Sequence, residues 1–185
     1  LSFERMRTDI RDSFTSSVSG TDLVVGARTG PVQLMLYAIF HVGGATNNIR
    51  MDSVREIARH RAVEWVVPMS LGDSHRGFAV LGTTPDYFER YRYGDRQPLA
   101  FAQGRAFLGD LDGLYEVVVG ADVARRLGYT LGRRITLSHG SGTMPGAEHA
   151  DKPFTVVGLL APTGTPVDRT VHVSLEAIEA IHLDW

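Results

Sequence analysis

The sequence predicts an α+β fold, and three observations carry that prediction. Residues 117–160 run strand, helix, turn, strand, strand within one short stretch. Apolar residues recur at helical spacing near both ends of the chain, while short β-branched runs divided by glycine fill the middle. A hydrophobic fraction of 43% beside a charged fraction of 22% is ordinary for a globular chain, and 185 residues suffice for one compact domain or two small ones.

The central stretch is the most legible. Val117, Val118 and Val119 form an apolar run that ends on Gly120, and Asp122 opens a short helix with Val123, Ala124 and Leu127 on one face. Arg125 and Arg126 fall in its last turn, where cations suit the carbonyl end, and Gly128 stops it. Leu131-Gly132 turns the chain into a strand at Ile135, Thr136 and Leu137, and Phe154 to Val157 supplies another.

In chain order, Phe3, Met6, Ile10 and Phe14 make a narrow apolar stripe on a charged helix. Residues 22–27 read as a buried strand. Thr29-Gly30-Pro31 is a turn, and Val32 to Val42 fits either a strand or a helix. Ser53 and Glu56 match a capping box for a helix carrying Val54, Ile57 and Ala58 inward. Val63 to Met69 predicts a strand ending near Pro68, Gly72 to Gly77 a polar link, and Phe78 to Leu81 a strand. Residues 82–88 turn into a short helix or a 3₁₀ segment, and residues 92–114, rich in Gly, Arg and Asp, predict an irregular connection. Thr163-Gly164-Thr165-Pro166 is a tight loop, Thr170 to Val173 a strand, and Ser174 caps a final helix that buries Leu175, Ile178 and Ile181.

Several chemistries are excluded. Residues 1–185 contain no apolar run of membrane-spanning length. A net charge of -2 without a basic stripe gives no phosphate-neutralising face, so no nucleic-acid partner is expected. The absence of cysteine rules out disulfides and thiol catalysis and suits an extracytoplasmic location. No G-x-S-x-G elbow supports a serine nucleophile, and no phosphate loop is present, Lys152 being the sole lysine. A start at Leu1 and a stop at Trp185 predict a domain taken from a longer chain.

Two groups remain as site candidates. His139 and His149 flank a glycine-rich loop, and with Glu148 and His75 they form a possible zinc shell, although their spacing matches no compact ligand motif. Solvated loop residues are the plainer account. Thr163, Thr165, Asp168 and Arg169 are candidate contacts to a substrate or partner; Asp168 and Arg169 could pair with each other or anchor the loop, and a structural salt bridge is expected in preference to a catalytic acid. Tyr87, Phe88, Tyr91 and Tyr93 are expected to pack rather than to stack on a ligand.

Val119, Gly120, Val123, Ala124, Leu127, Gly128, Gly132, Ile135, Leu137, Phe154, Val156, Val157, Gly158 and Leu160 together make a pattern of strand, G-x-x-V-A-x-x-L-G, L-G, I-x-L and F-x-V-V-G-x-L. Upstream, Gly82 to Phe88 and Gly104-Arg105-Ala106-Phe107 add G-x-x-x-x-Y-F and G-R-x-F segments. The whole resembles the extracytoplasmic (periplasmic) core domain of MacB/FtsX-type ABC transporter permeases. That resemblance implies an α+β fold in two lobes. A porter-like β-α-β lobe would hold residues 1–81 and 165–185, incomplete at the C-terminus, and an inserted strand-rich lobe residues 82–164. It implies a non-catalytic domain on the periplasmic side of an inner-membrane protein, passing ATP-driven movement to a substrate or partner protein in export, lipoprotein handling or envelope signalling. The implied partners are a cytoplasmic ABC ATPase, separate or fused, a second permease copy forming a dimer, and a periplasmic protein. The alternative is an extracytoplasmic sensor that binds a metal or ligand through the His139/His149 loop. The insert between His139 and Asp151 and the segment from Thr163 to Arg169 depart from the family pattern, which marks them for substrate or partner contact.

Overall fold

The computed structural model describes residues 17–27, 30–42, 48–139 and 153–182. The predicted helix over residues 3–14 and most of the insert after His139 lie outside that range. Helices and strands are mixed, as an α+β chain requires, around one curled sheet.

The elements are α1 (Pro31–Ala38), α2 (Met51–Ala58), β1 (Met69–His75), β2 (Phe78–Thr83), α3 (Asp86–Arg90), β3 (Arg92–Tyr93), β4 (Gln97–Pro98), β5 (Phe101–Gly104), β6 (Glu116–Val119), α4 (Ala121–Leu127), β7 (Arg134–Ile135), β8 (Ser138–His139), β9 (Phe154–Leu160), β10 (Thr170–Ser174) and α5 (Leu175–His182). The main sheet runs β5-β9-β6-β10-β2-β1-β8, with β7 also on β9. β6 lies parallel to β9, β10 parallel to β2, and β10 antiparallel to β6.

Residues 134–139 curl the sheet. Ile135 pairs with Phe154 of β9, at one edge, and only three residues later Ser138 pairs with Ser74 of β1, at the other. One short stretch of chain therefore ties both edges together. Leu137, between the two pairings, is wholly buried inside the curl.

Both faces of the sheet are covered, which explains the unbroken apolar runs in β6 and β2. Val117, Val119 and Val80 pack with Phe154, Val171, Ala177 and Ile181, under α4 and α5. Val118 and Leu81 point the opposite way, into Tyr87, Phe88, Phe107, Leu160 and Val167. Strands from both expected lobes, β6 from 82–164 and β10 from 165–185, pair within this one sheet.

In the central unit, the strand at Val117–Val119, helix α4 and the strand from Phe154 form as predicted, whereas of the strand expected at Ile135–Leu137 only Ile135 lies in one. α4 carries Arg125 and Arg126 in its last turn and ends at Gly128, whose φ of 65° is the left-handed geometry that glycine adopts without strain. Ser174 caps α5, its Oγ accepting from the Ala177 N–H at 3.0 Å.

Other expectations are corrected. Residues 22–27 form no strand, and Leu23 is 80% exposed. The ambiguous stretch after Pro31 is helix α1, tied to β1 by Tyr37, whose hydroxyl donates to the Leu71 carbonyl and accepts from the Leu71 N–H. Ser53 lies inside α2 rather than capping it, because the helix starts two residues earlier, and Ala58 is exposed with Val54 and Ile57 only half-buried. The strand expected over 63–69 begins at Met69 instead, after Pro68, and the supposed polar link is mostly β1, with the turn confined to Arg76 and Gly77. The region 92–114 hides β3, β4 and β5, which are two to four residues long and largely exposed, so no apolar alternation marks them.

Candidate functional site

The loop before β10 is built on one carboxylate. Asp168 Oδ1 accepts from the Thr163 N–H and the Thr163 hydroxyl, both at 2.8 Å, and Oδ2 accepts from the Gly164 N–H at 2.8 Å. Thr165 begins the 3₁₀ turn Pro166–Arg169, its Oγ1 accepting from the Val167 N–H at 3.3 Å and lying 2.7 Å from Thr163 Oγ1. Proline suits the first position of such a turn because no donor is lost there. The Asp168–Arg169 salt bridge is therefore absent: Asp168 is buried and turned inward, while Arg169 is exposed.

α4 fixes the loop from below. Gly120 precedes that helix and donates its N–H to the Thr170 carbonyl at 2.9 Å. A Cβ on Gly120 would stand 2.3 Å from the Val167 carbonyl oxygen and 2.5 Å from that of Asp168, so only glycine allows this approach. The G after the strand thus has a packing reason rather than a phosphate-binding one.

The loop closes one side of a hollow of about 660 Å³. Phe40, His41, Phe78, Thr165, Pro166 and Arg169 are among its walls. Thr170 Oγ1 donates to the Pro166 carbonyl at 2.9 Å, so it accepts from His41 Nδ1 at 2.7 Å. Burial lowers the His41 imidazole to about 4, leaving it neutral at ordinary pH. Neither group is poised for reaction: the threonine proton is committed to a carbonyl and the facing imidazole nitrogen is a donor. The hollow offers apolar walls and an exposed guanidinium at its rim.

Beneath the loop, His172 of β10 is wholly buried between the rings of Tyr87 and Phe88, with centroids 5.4 and 5.7 Å away. Its Nδ1 donates to the Val118 carbonyl at 3.3 Å, and its Nε2 has no partner among the described residues. Burial is the main cause, with His41 nearby adding to it, that holds this imidazole down to about 3. Tyr91 donates its hydroxyl to the Ser17 carbonyl, and burial raises it well above the usual phenol range. These aromatics pack, as the sequence led one to expect.

The histidine group falls only partly within the described residues. His149 and Glu148 lie outside the described residues, and His139 is placed by its backbone pairing with Asp73. His75 is buried, with Nδ1 2.7 Å from the Thr136 carbonyl and Nε2 2.7 Å from the Tyr129 hydroxyl, so a metal on either nitrogen would have to displace the bond made there. Among the described residues no group of three or more His, Asp or Glu is arranged to hold a metal ion. Sequence reasoning identified Thr165, Asp168 and Arg169 but missed His41 and Thr170. His41 reaches the hollow through a positive φ of 52°, and no residue pattern announces that conformation.

The family model described as the MacB-like periplasmic core domain matches residues 3–183. Among solved structures, the chain is similar to the periplasmic region of MacB from Actinobacillus actinomycetemcomitans, at 15% identity over 86% of this chain and 67% of that one, with a TM-score of 0.53. It is also similar to the extracellular domain of the noncanonic ABC-type transporter YknZ from Gram-positive bacteria, at 17% identity over 71% of this chain and 65% of that one, with a TM-score of 0.48. The chain thus spans about two thirds of each of these structures. No curated protein matches it. No helix among the described residues is long and apolar enough to cross a membrane.

Proposed function

Because the chain belongs to the MacB-like periplasmic core domain family, we propose that it is the extracytoplasmic lever of an ABC transporter permease. In this reading a cytoplasmic ATPase supplies the work. Two permease copies face each other, and this domain carries their movement to a substrate or periplasmic partner without making or breaking bonds itself. The observation that carries the reading is the family match along nearly the whole chain.

Two structural features support it. The sheet is packed on both faces and tied edge to edge by residues 134–139, so it is suited to transmit a displacement without deforming. The hollow beside the 163–170 loop holds a neutral imidazole and committed hydroxyls, a recognition surface with no activated nucleophile. The partner contact belongs to Arg169 and Thr165 at that hollow, while Thr163 and Asp168 hold the loop in shape.

The test is accessibility in intact cells. The 185 residues contain no cysteine, so Glu179→Cys, on the exposed side of α5, provides one reporter thiol within the domain. It is expected to react with a membrane-impermeant maleimide before lysis, and a tagged parent protein is expected to copurify with an ATP-binding subunit or to contain one. A thiol protected until lysis would overturn the assignment.

A further inference from the structure

A second cleft, which shares no lining residue with the 163–170 hollow, collects positive charge. It measures about 350 Å³, at the small end of ligand pockets, and Arg76, Arg133 and Arg134 line it around a floor of His75 and Tyr129. All three arginines are exposed, and among the described residues none has a carboxylate partner. They come from two separate elements, the β1–β2 turn and the entry to β7, which the curling of the sheet brings together.

The turn carries an independent signal. Arg76 and Gly77 are the two central residues of the β1–β2 hairpin, with φ of 48° and 83°. A two-residue turn with both φ positive favours Asn-Gly, and a long side chain at its first position is strained. The chain nonetheless holds a guanidinium there, aimed from the tip of a hairpin beside two others. The floor is fixed as well: the Thr136 carbonyl can only accept, so His75 Nδ1 donates to it, and in the neutral ring Nε2 accepts from the Tyr129 hydroxyl.

We propose that the cleft formed by Arg76, Arg133 and Arg134 binds a phosphate group, either free or on a small head group such as glycerol phosphate. Guanidinium forks match phosphate oxygens in pairs, and three of them on a fixed floor supply more charge than one exposed ion pair requires. The phosphate can come from a soluble ester or from an anionic lipid surface, and the chemistry of recognition is shared.

The experiment uses the 185-residue chain with three probes: inorganic phosphate, glycerol 3-phosphate, and vesicles of phosphatidylcholine with or without phosphatidylglycerol. Calorimetry and vesicle flotation are run at low and high salt on the wild type, on Arg133→Ala/Arg134→Ala, on Arg76→Asn, and on Arg59→Ala as an exposed control elsewhere. Binding of either soluble probe, weakened at least about tenfold by the double variant and by salt, supports a soluble phosphate, free or esterified. Binding only to the phosphatidylglycerol vesicles, with the same loss, supports a lipid head group. Arg76→Asn gives a readout that a merely structural arginine would not: its melting temperature should rise by about 2 °C while affinity falls, because the turn is relieved as a ligand is removed. No binding by any probe, or binding equal in wild type and double variant, overturns the proposal.

Discussion

Replacing Asp168 tests whether one carboxylate builds the loop beside the main hollow. Asp168→Ala removes three accepted hydrogen bonds, two from backbone N–H groups and one from a hydroxyl. Bonds to a charged acceptor are worth about 1.5–3 kcal/mol each when one partner is deleted. They are not additive here, because all three share one carboxylate and Gly164 is exposed, so its N–H regains water. A loss of about 3 kcal/mol is expected, which for a chain of this size lowers Tm by roughly 6–12 °C. Asp168→Asn keeps one accepting oxygen and should lose about half as much. Differential scanning calorimetry with urea melts at pH 7 measures both. An Asp168→Ala protein melting within 1 °C of wild type would refute the claim that this carboxylate organises the loop.

Gly120→Ala should destabilise by about 2–4 kcal/mol, since its Cβ meets two carbonyl oxygens of the backbone rather than a movable side chain, and a urea midpoint unchanged from wild type would contradict that packing. Glu116 accepts from the Arg105 guanidinium at 2.5 and 2.8 Å and from the Leu108 N–H at 2.9 Å, and Arg105 chiefly holds its carboxyl below the usual range. A depressed folded-state value means the stabilisation is present above the unfolded value near pH 4.5 and is lost as pH falls through the folded one. Glu116→Gln should therefore remove about 1 kcal/mol at pH 7 and progressively less as pH falls below 4.5, read from urea melts across that range. His172 has linkage of the same sign at higher pH: the unfolded imidazole takes a proton below about pH 6.5, whereas the buried one resists it down to about 3. Stability should fall as pH drops from 6.5 toward 4, and His172→Phe should flatten that slope while still folding at pH 7. An unchanged slope would show that this buried imidazole is not the source.

Legibility followed burial. Val117 to Val119, Val123 and Gly128 were readable because a strand covered on both faces and a short capped helix leave strong local patterns. Ser174 was readable for the same reason, its cap being a contact three residues long. β5, by contrast, is four residues with three exposed, so its place at the sheet edge comes from pairing with β9, which lies more than fifty residues away. Leu23 and Val25 misled because an apolar run states only that a strand is possible, and the partner strand decides. At the site, Thr165, Asp168 and Arg169 stood out as a departure from the family pattern, but the sequence could not say that Asp168 faces inward and Arg169 outward. That distinction depends on the 3₁₀ turn at Pro166. The meeting of Arg76 with Arg133 and Arg134 was equally invisible, because it follows from the curl that residues 134–139 impose.

Movement driven from elsewhere is the heart of this account, and it is measured most directly in the complete transporter. With a spin label on Glu179→Cys, electron–electron distance distributions between the two copies are recorded in nanodiscs, without nucleotide and with ATP trapped at the ATPase. The principal distance is expected to shift by several ångströms with its width preserved, the mark of a rigid body carried by the membrane part. Distributions that superimpose in the two states would contradict it.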